Sequence, residues 1–214
     1  MMGFTNINIF NQFKYPRSDR KMTDIELDFA YLNKIAYKIP EQRTNFKDYK
    51  YISWISDTEY CIFERGNTIY FVIKGTNNKE NLFTDIQLYI NSLDKTFKRD
   101  EEKLLQIKKT YPRHTIKISG HSLGGIKSLI LGKKYKYLTG CVFNSYTPRV
   151  TTKFIECVNE TPYITKFVNR DDMLSNNQIY INRKKVVLMV NKWSQRSLLQ
   201  NHSINCYIED CFKY

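Results

Sequence analysis

A chain of 214 residues is long enough to bury a sizeable core as one domain, and 42% hydrophobic with 26% charged residues speaks against both a disordered and a membrane-embedded protein. Lys and Arg number 34 against 21 Asp and Glu, a formal charge of +13, so the long-range field is positive and attracts anionic partners. The basic residues are scattered, runs such as Lys133-Lys134-Tyr135-Lys136 usually form solvated faces, and no nucleic-acid-binding signature accompanies them. Of the two partners that suit the charge, nucleic acid is therefore not expected, and an anionic membrane surface is the one retained.

The five cysteines, Cys61, Cys141, Cys157, Cys206 and Cys211, contain no Cys-x-x-Cys pair, and an odd number does not close into a complete disulfide framework. A reducing compartment is the simpler reading. The first twenty residues hold charges and Pro16 but no apolar segment of signal-peptide length, and no apolar run of about 18 residues occurs, so a cytoplasmic protein is expected.

Residues 1–21 are polar and weakly periodic and read as a loosely ordered extension of a single domain spanning 1–214. Ile25, Phe29, Leu32 and Ile35 then recur at helical spacing behind the capping residues Thr23 and Asp24, and Pro40 stops the run. Cys61-Ile62-Phe63 and Ile69 to Ile73 flank Arg65-Gly66-Asn67, which predicts a hairpin feeding a central strand. A second helix falls between Lys98 and Lys109, closed by Pro112, and Thr115 to Ile118 begins a strand. After Gly120, the residues Leu123, Ile126, Leu129 and Ile130 mark one face of a helix that Gly132 is placed to end. Short strands at Cys141-Val142-Phe143 and Ile164 to Val168 enclose a helical segment around Phe154, Ile155 and Val158. Such alternation predicts an α/β fold, a mostly parallel sheet covered by helices.

Gly120-His121-Ser122-Leu123-Gly124 is a Gly-x-Ser-x-Gly pattern set between a predicted strand and a predicted helix. A sharp strand-to-helix turn pushes its central residue into strained geometry and brings neighbouring backbone close, so side chains at the two flanking positions would clash. Ser122 is thus the candidate nucleophile. A serine hydroxyl needs a general base, and that base needs an orienting acid. Of the three histidines, His114 precedes the elbow, His121 lies inside it, and only His202 follows it in the chain order Ser, acid, His. The acids between Ser122 and His202 are Glu156, Glu160, Asp171 and Asp172; the aspartate pair, at the end of a predicted strand, is preferred, with either member open on this reading. An oxyanion needs backbone donors, one from the residue after the nucleophile, Leu123, and one from an earlier strand end, where Ile73-Lys74-Gly75-Thr76 places Thr76. No metal or cofactor is called for.

These blocks resemble the class 3 lipase family of the α/β hydrolases over roughly residues 60 to 210. Ser119-Gly120-His121-Ser122-Leu123-Gly124-Gly125 after Tyr111-Pro112 and a strand resembles the family's most specific block. Val72-Ile73-Lys74-Gly75-Thr76 resembles the strand ending in an oxyanion-hole residue, and Thr147-Pro148-Arg149-Val150 the family's Pro-Arg-Val element. Asn169-Arg170-Asp171-Asp172-Met173-Leu174 resembles the segment of the catalytic aspartate, which selects Asp172, and His202-Ser203-Ile204-Asn205-Cys206-Tyr207 resembles that of the catalytic histidine. The resemblance implies an α/β-hydrolase fold and hydrolysis of a lipid or other carboxylic ester through Ser122, His202 and Asp172, with Thr76 and Leu123 as oxyanion donors. A phospholipase A, a small-ester carboxylesterase and an inactive lipid-binding protein are the alternatives. The family's tryptophan near Leu82 is absent, Asn77 to Asn81 is short and polar, and an open site is expected; Asp85 and Arg149 read as structural.

Overall fold

The computed structural model describes residues 20–76, 93–145, 161–169, 172, 186–191, 200, 202–208 and 212–213. Among the described residues eight strands lie side by side in chain order: β1 (Lys50–Tyr51), β2 (Tyr60–Arg65), β3 (Thr68–Ile73), β4 (Thr115–His121), β5 (Thr139–Phe143), β6 (Ile164–Asn169), β7 (Val186–Asn191) and β8 (Phe212–Lys213). β1 to β3 pair antiparallel, β3 to β7 run parallel, and β8 returns antiparallel against β7. The predicted hairpin is β2 and β3, turning at Gly66 and Asn67.

Three α-helices are described: α1 (Asp24–Ala36), α2 (Leu93–Thr110) and α3 (Leu123–Lys134). α1 begins with a capping box, in which Glu26 N–H donates to Thr23 Oγ1 at 3.4 Å and Thr23 N–H donates to Glu26 Oε2 at 2.8 Å. Its last turn is pinned by Arg43, whose guanidinium donates to the carbonyls of Ala36, Lys38, Asp57, Thr58 and Tyr60. That buried clamp ties the end of α1 to the entry of β2.

Period-two alternation along the strands supplies a core on each face of the sheet. Cys61, Phe63, Tyr70, Val72, Phe143 and Phe167 pack against α1 and the 3₁₀ turn Ile204–Tyr207. Ile62, Ile69, Phe71, Ile118, Val142 and Val168 pack on the other face against Leu104 and Ile107 of α2 and Leu129 and Leu131 of α3. α2 and α3 link neighbouring parallel strands and share this face of the sheet, as crossovers of one hand progressing in one direction place them. Cys61, Cys141 and Cys206 are buried as small apolar side chains.

The structure corrects the reading of α3. Gly132 does not end it; the helix runs on to Lys134, because Gly132 is where α3 meets Ile164, whose Cδ1 would stand 2.4 Å from an added Cβ. Leu131 is fully buried while Ile130 is only half-buried, so the core-facing stripe is shifted by one residue at that end. Sequence reasoning did not anticipate β1, β7 or β8. β7 comes from Val186-Val187-Leu188-Met189-Val190, a continuous apolar run of the sort parallel strands show when covered on both faces. Residues 1–19 of the expected 1–21 extension, the helical segment near Phe154, Asp85 and Arg149 lie outside the described residues, as does Asn77 to Asn81. Among the described residues no helix is long and apolar enough to cross a membrane.

Candidate active site

Register aligns the carboxyl ends of the central strands. Ile73 pairs with Gly120, His121 with Phe143, and Phe143 with Phe167, so residues 74–76, Ser122, Asn144 and Asp172 all emerge at one edge of the sheet. That edge is where open α/β sheets collect ligand-binding and reactive groups, because loops from several strands converge there.

Ser122 is the single residue between β4 and α3. It holds φ 55° and ψ −122°, a conformation that costs a non-glycine residue about 1–3 kcal/mol. The strain is sustained by neighbours on both sides: Ser122 N–H donates to Phe143 O at 3.0 Å, and Ser122 O accepts from Gly125 and Ile126 as the helix starts. Both flanking glycines are required by close approach. A Cβ on Gly120 would stand 2.2 Å from the Gly124 carbonyl, and one on Gly124 would stand 2.0 Å from the Ile73 oxygen.

His202 bridges the other two groups. The Ser122 hydroxyl lies 2.8 Å from His202 Nε2, and His202 Nδ1 lies 2.8 Å from Asp172 Oδ2. Since an ionised carboxylate only accepts, Nδ1 carries the proton and Nε2 presents a lone pair to the serine hydroxyl. Asp172 is fully buried, and its N–H donates to Asn169 O at 3.1 Å, so the turn leaving β6 sets where its carboxylate points. Asp171 lies outside the described residues. Leu123 opens α3, so its amide has no carbonyl partner within the helix. The loop holding Thr76 abuts the elbow, for an added Cβ on Gly75 would stand 3.4 Å from Ser122 Cβ. His114 sits before β4, at the opposite end of the strand from Ser122, with Nε2 3.3 Å from Glu64 Oε1.

Ser122 is only 1% exposed, and Asn77 to Asn81, on which the expectation of an open site rested, lies outside the described residues.

The site also contains groups that sequence reasoning did not single out. Tyr37, just past α1, places its hydroxyl 2.7 Å from His121 Nδ1, and His121 Nε2 lies 2.6 Å from the His202 carbonyl oxygen. Asn144, in the left-handed region at φ 42°, donates from Nδ2 to the same carbonyl at 3.2 Å. Its Oδ1 accepts from Asn169 N–H at 2.9 Å and from the Tyr207 hydroxyl at 2.6 Å. An asparagine directly after an apolar strand was the one sequence signal available, since asparagine tolerates the left-handed region better than other side chains. Nothing in the sequence marked Tyr37.

Burial, and secondly the neighbouring His202, hold His121 far below its usual range, at about 3, so it is neutral at working pH. Its surroundings contain the Tyr37 hydroxyl, the His202 ring and, further off, Asp172. An unfolded histidine titrates near about 6.5, so between there and about 3 the unfolded chain binds the extra proton and the folded chain does not. The stabilisation is complete above about pH 6.5 and is lost as pH falls towards 3, at up to about 1.4 kcal/mol per pH unit. His121→Gln removes this component. Urea unfolding at several pH values between 7.5 and 4.5 should show a shallower acid decline in the variant; equal slopes would contradict a buried neutral His121.

With this geometry in place, the fold is similar to those of known lipases. It matches a triacylglycerol lipase whose catalytic centre is formed by a serine protease triad, with a TM-score of 0.52 and 21% identity over 72% of this chain and 75% of that one. The Lip2 lipase of Yarrowia lipolytica gives 0.54 and 17% identity over 77% of each chain. A lipase from Rhizopus microsporus var. chinensis gives 0.51 and 20% identity over 74% of this chain and 71% of that one. The chain therefore has the α/β fold of the fungal triacylglycerol lipases. No family model matches the sequence, and no curated protein matches it significantly.

Proposed function

We propose that the protein is a serine carboxylic-ester hydrolase acting on lipid esters, with Ser122 as nucleophile, His202 as general base and acid, and Asp172 as the orienting carboxylate. The observation that carries this reading is the hydrogen-bonded series Ser122, His202, Asp172 at the carboxyl edge of the sheet, with the serine on a strained strand-to-helix turn.

Ser122 Oγ attacks the ester carbonyl while His202 Nε2 takes its proton over 2.8 Å. The imidazolium is held by Asp172 through Nδ1–H, and the amides of Leu123 and Thr76 receive the oxyanion. Collapse breaks the bond to the alcohol, which leaves with the proton from Nε2, and an acyl group remains on Ser122. Water then adds, giving its proton to His202; the second tetrahedral species expels Ser122 Oγ, which recovers that proton as the free acid departs. Every proton is returned, so no metal or cofactor enters the cycle.

A fluorophosphonate probe, which reacts with an activated serine, should label the wild-type chain at Ser122, and a panel of triacylglycerol, phospholipid and short-chain esters should then reveal the preferred substrate. A chain that neither labels nor hydrolyses any of them is not an ester hydrolase.

The charge of +13 supports an anionic lipid surface as the place of action. Vesicle hydrolysis should rise several-fold as anionic lipid is added at low salt, and fall again as the Debye length shrinks to about 8 Å near physiological ionic strength. Rates indifferent to both anionic lipid and salt would remove the membrane surface from the reading.

A further inference from the structure

The proton transfers assigned to His202 make no use of the buried His121, whose ring centroid lies 5.0 Å from that of His202. Its hydrogen bonds have a fixed direction. The His202 carbonyl only accepts, so His121 Nε2 carries the proton of the 2.6 Å contact. Nδ1 then holds a lone pair, and the Tyr37 hydroxyl donates to it at 2.7 Å. The Tyr37 hydroxyl also lies against Gly75, so close that a Cβ added there would collide with it. The series of hydrogen bonds therefore runs from Tyr37 through His121 to the backbone of His202, with Gly75 packed against the Tyr37 hydroxyl at its head.

Three separate segments are joined by it: the loop holding Thr76, the elbow holding Ser122, and the segment holding His202. We propose that Tyr37 and His121 are positioning residues, which lock the main chain of the general base and the oxyanion loop to the nucleophile elbow; this rests on Ser122, His202 and Asp172 forming a working triad. The His202 ring takes a proton from Ser122 and passes it to the leaving alcohol in the first half of the reaction, then takes one from water and returns it to Ser122 in the second. Its backbone has to stay in place throughout, and a displacement of about 1 Å in a catalytic group costs about 100-fold in rate. Asn144 Nδ2 holds the same carbonyl from the β5 side, so the two donors approach it from neighbouring strand ends.

A histidine suits this position for a reason that a lysine or arginine would not meet. It donates while uncharged, and a cation 5.0 Å away would oppose the imidazolium that His202 has to become. The Tyr37 hydroxyl selects the one neutral tautomer able to donate to the carbonyl. His121 thus orients the base while staying uncharged itself.

The test uses the full-length chain and three variants, Tyr37→Phe, His121→Leu and His121→Gln, measuring kcat and KM on a soluble short-chain ester, the rate of fluorophosphonate labelling, and histidine ring 15N NMR. Tyr37→Phe should lower kcat and the labelling rate about tenfold, with KM within about twofold, because the ester does not touch Tyr37. His121→Leu should lose about 100-fold. His121→Gln should recover at least about tenfold of that loss, since its amide nitrogen occupies the place of Nε2 and donates to the same carbonyl. In the wild type, the His121 signals should report a bare Nδ1 and a protonated Nε2 from pH 5 to 9, and Tyr37→Phe should add the opposite tautomer. If His121→Leu does not fold, Tyr37→Phe decides, since it deletes one oxygen atom. Labelling and turnover in Tyr37→Phe equal to an active wild type, or a protonated Nδ1 on His121, would overturn the positioning role alone. A wild-type chain that neither labels nor hydrolyses overturns the triad reading and this one together.

Discussion

Ser122→Ala should lower ester turnover by about 10³-fold or more while leaving the thermal unfolding transition in place. The substitution deletes the oxygen 2.8 Å from His202 Nε2 and nothing that holds the turn. Ser122 N–H still reaches Phe143 O, its carbonyl still accepts from Gly125 and Ile126, and Gly120 and Gly124 still permit the close approach of β4, α3 and Ile73. Alanine bears the same φ of 55° as serine, so the strain in the native elbow is retained. Hydrolysis is to be followed on a short-chain ester with the fluorophosphonate probe as a parallel readout. Near wild-type turnover in a correctly folded variant would mean that another group attacks the ester.

Asp172→Asn should cost about 10⁴-fold in kcat, the scale on which a triad fails when its acid is made neutral. The geometry explains the size. His202 Nδ1 is 2.8 Å from Asp172 Oδ2, and a buried carboxylate there stabilises both the Nδ1–H tautomer and the imidazolium. An amide group facing Nδ1 donates instead of accepting, which moves the ring proton to Nε2, where it blocks uptake of the serine proton. Asp171→Asn should lower kcat by less than about tenfold, since the bond to His202 belongs to Asp172. The opposite ranking would show that the contact in the structure is not the one that works during turnover.

Ser122→Ala and Asp172→Asn probe the groups proposed to react, whereas Tyr37 and His121 act one step behind them. A loss shared by kcat and labelling rate but absent from KM is the signature of misplaced reacting groups, and distinguishes both kinds of variant from those that merely weaken ester binding.

Strong local signals determined much of the architecture before any contact was known. Thr23 and Glu26, three residues apart at the head of an apolar stripe, specify a capped helix through bonds made within one turn. Gly66 between two β-branched runs specifies a hairpin, and the glycines around Ser122 specify a turn too tight for side chains. Chain order limited the base to His202, and the family resemblance selected Asp172 from its pair. Elsewhere local signals were weak or mixed: β1 and β8 have two residues each, β7 shows no alternation, and Gly132 resembles a helix end while serving as a packing surface for Ile164.

Tertiary structure alone decided what stands behind the triad. Tyr37 and His121 are separated by 84 residues, His121 and His202 by 81, and Asn144 and His202 by 58, so none of these contacts leaves a periodicity or a spacing to be read. They exist because the parallel register brings the ends of β3, β4, β5 and β6 to one edge and because the Arg43 clamp holds the end of α1 over it. A residue's type and its neighbours in the chain fix what it is able to donate or accept. Which partner it meets depends on the register of strands far apart in sequence, and for that reason Ser122, His202 and the aspartate pair stood out in the sequence as candidates while the contacts of Tyr37, His121 and Asn144 did not.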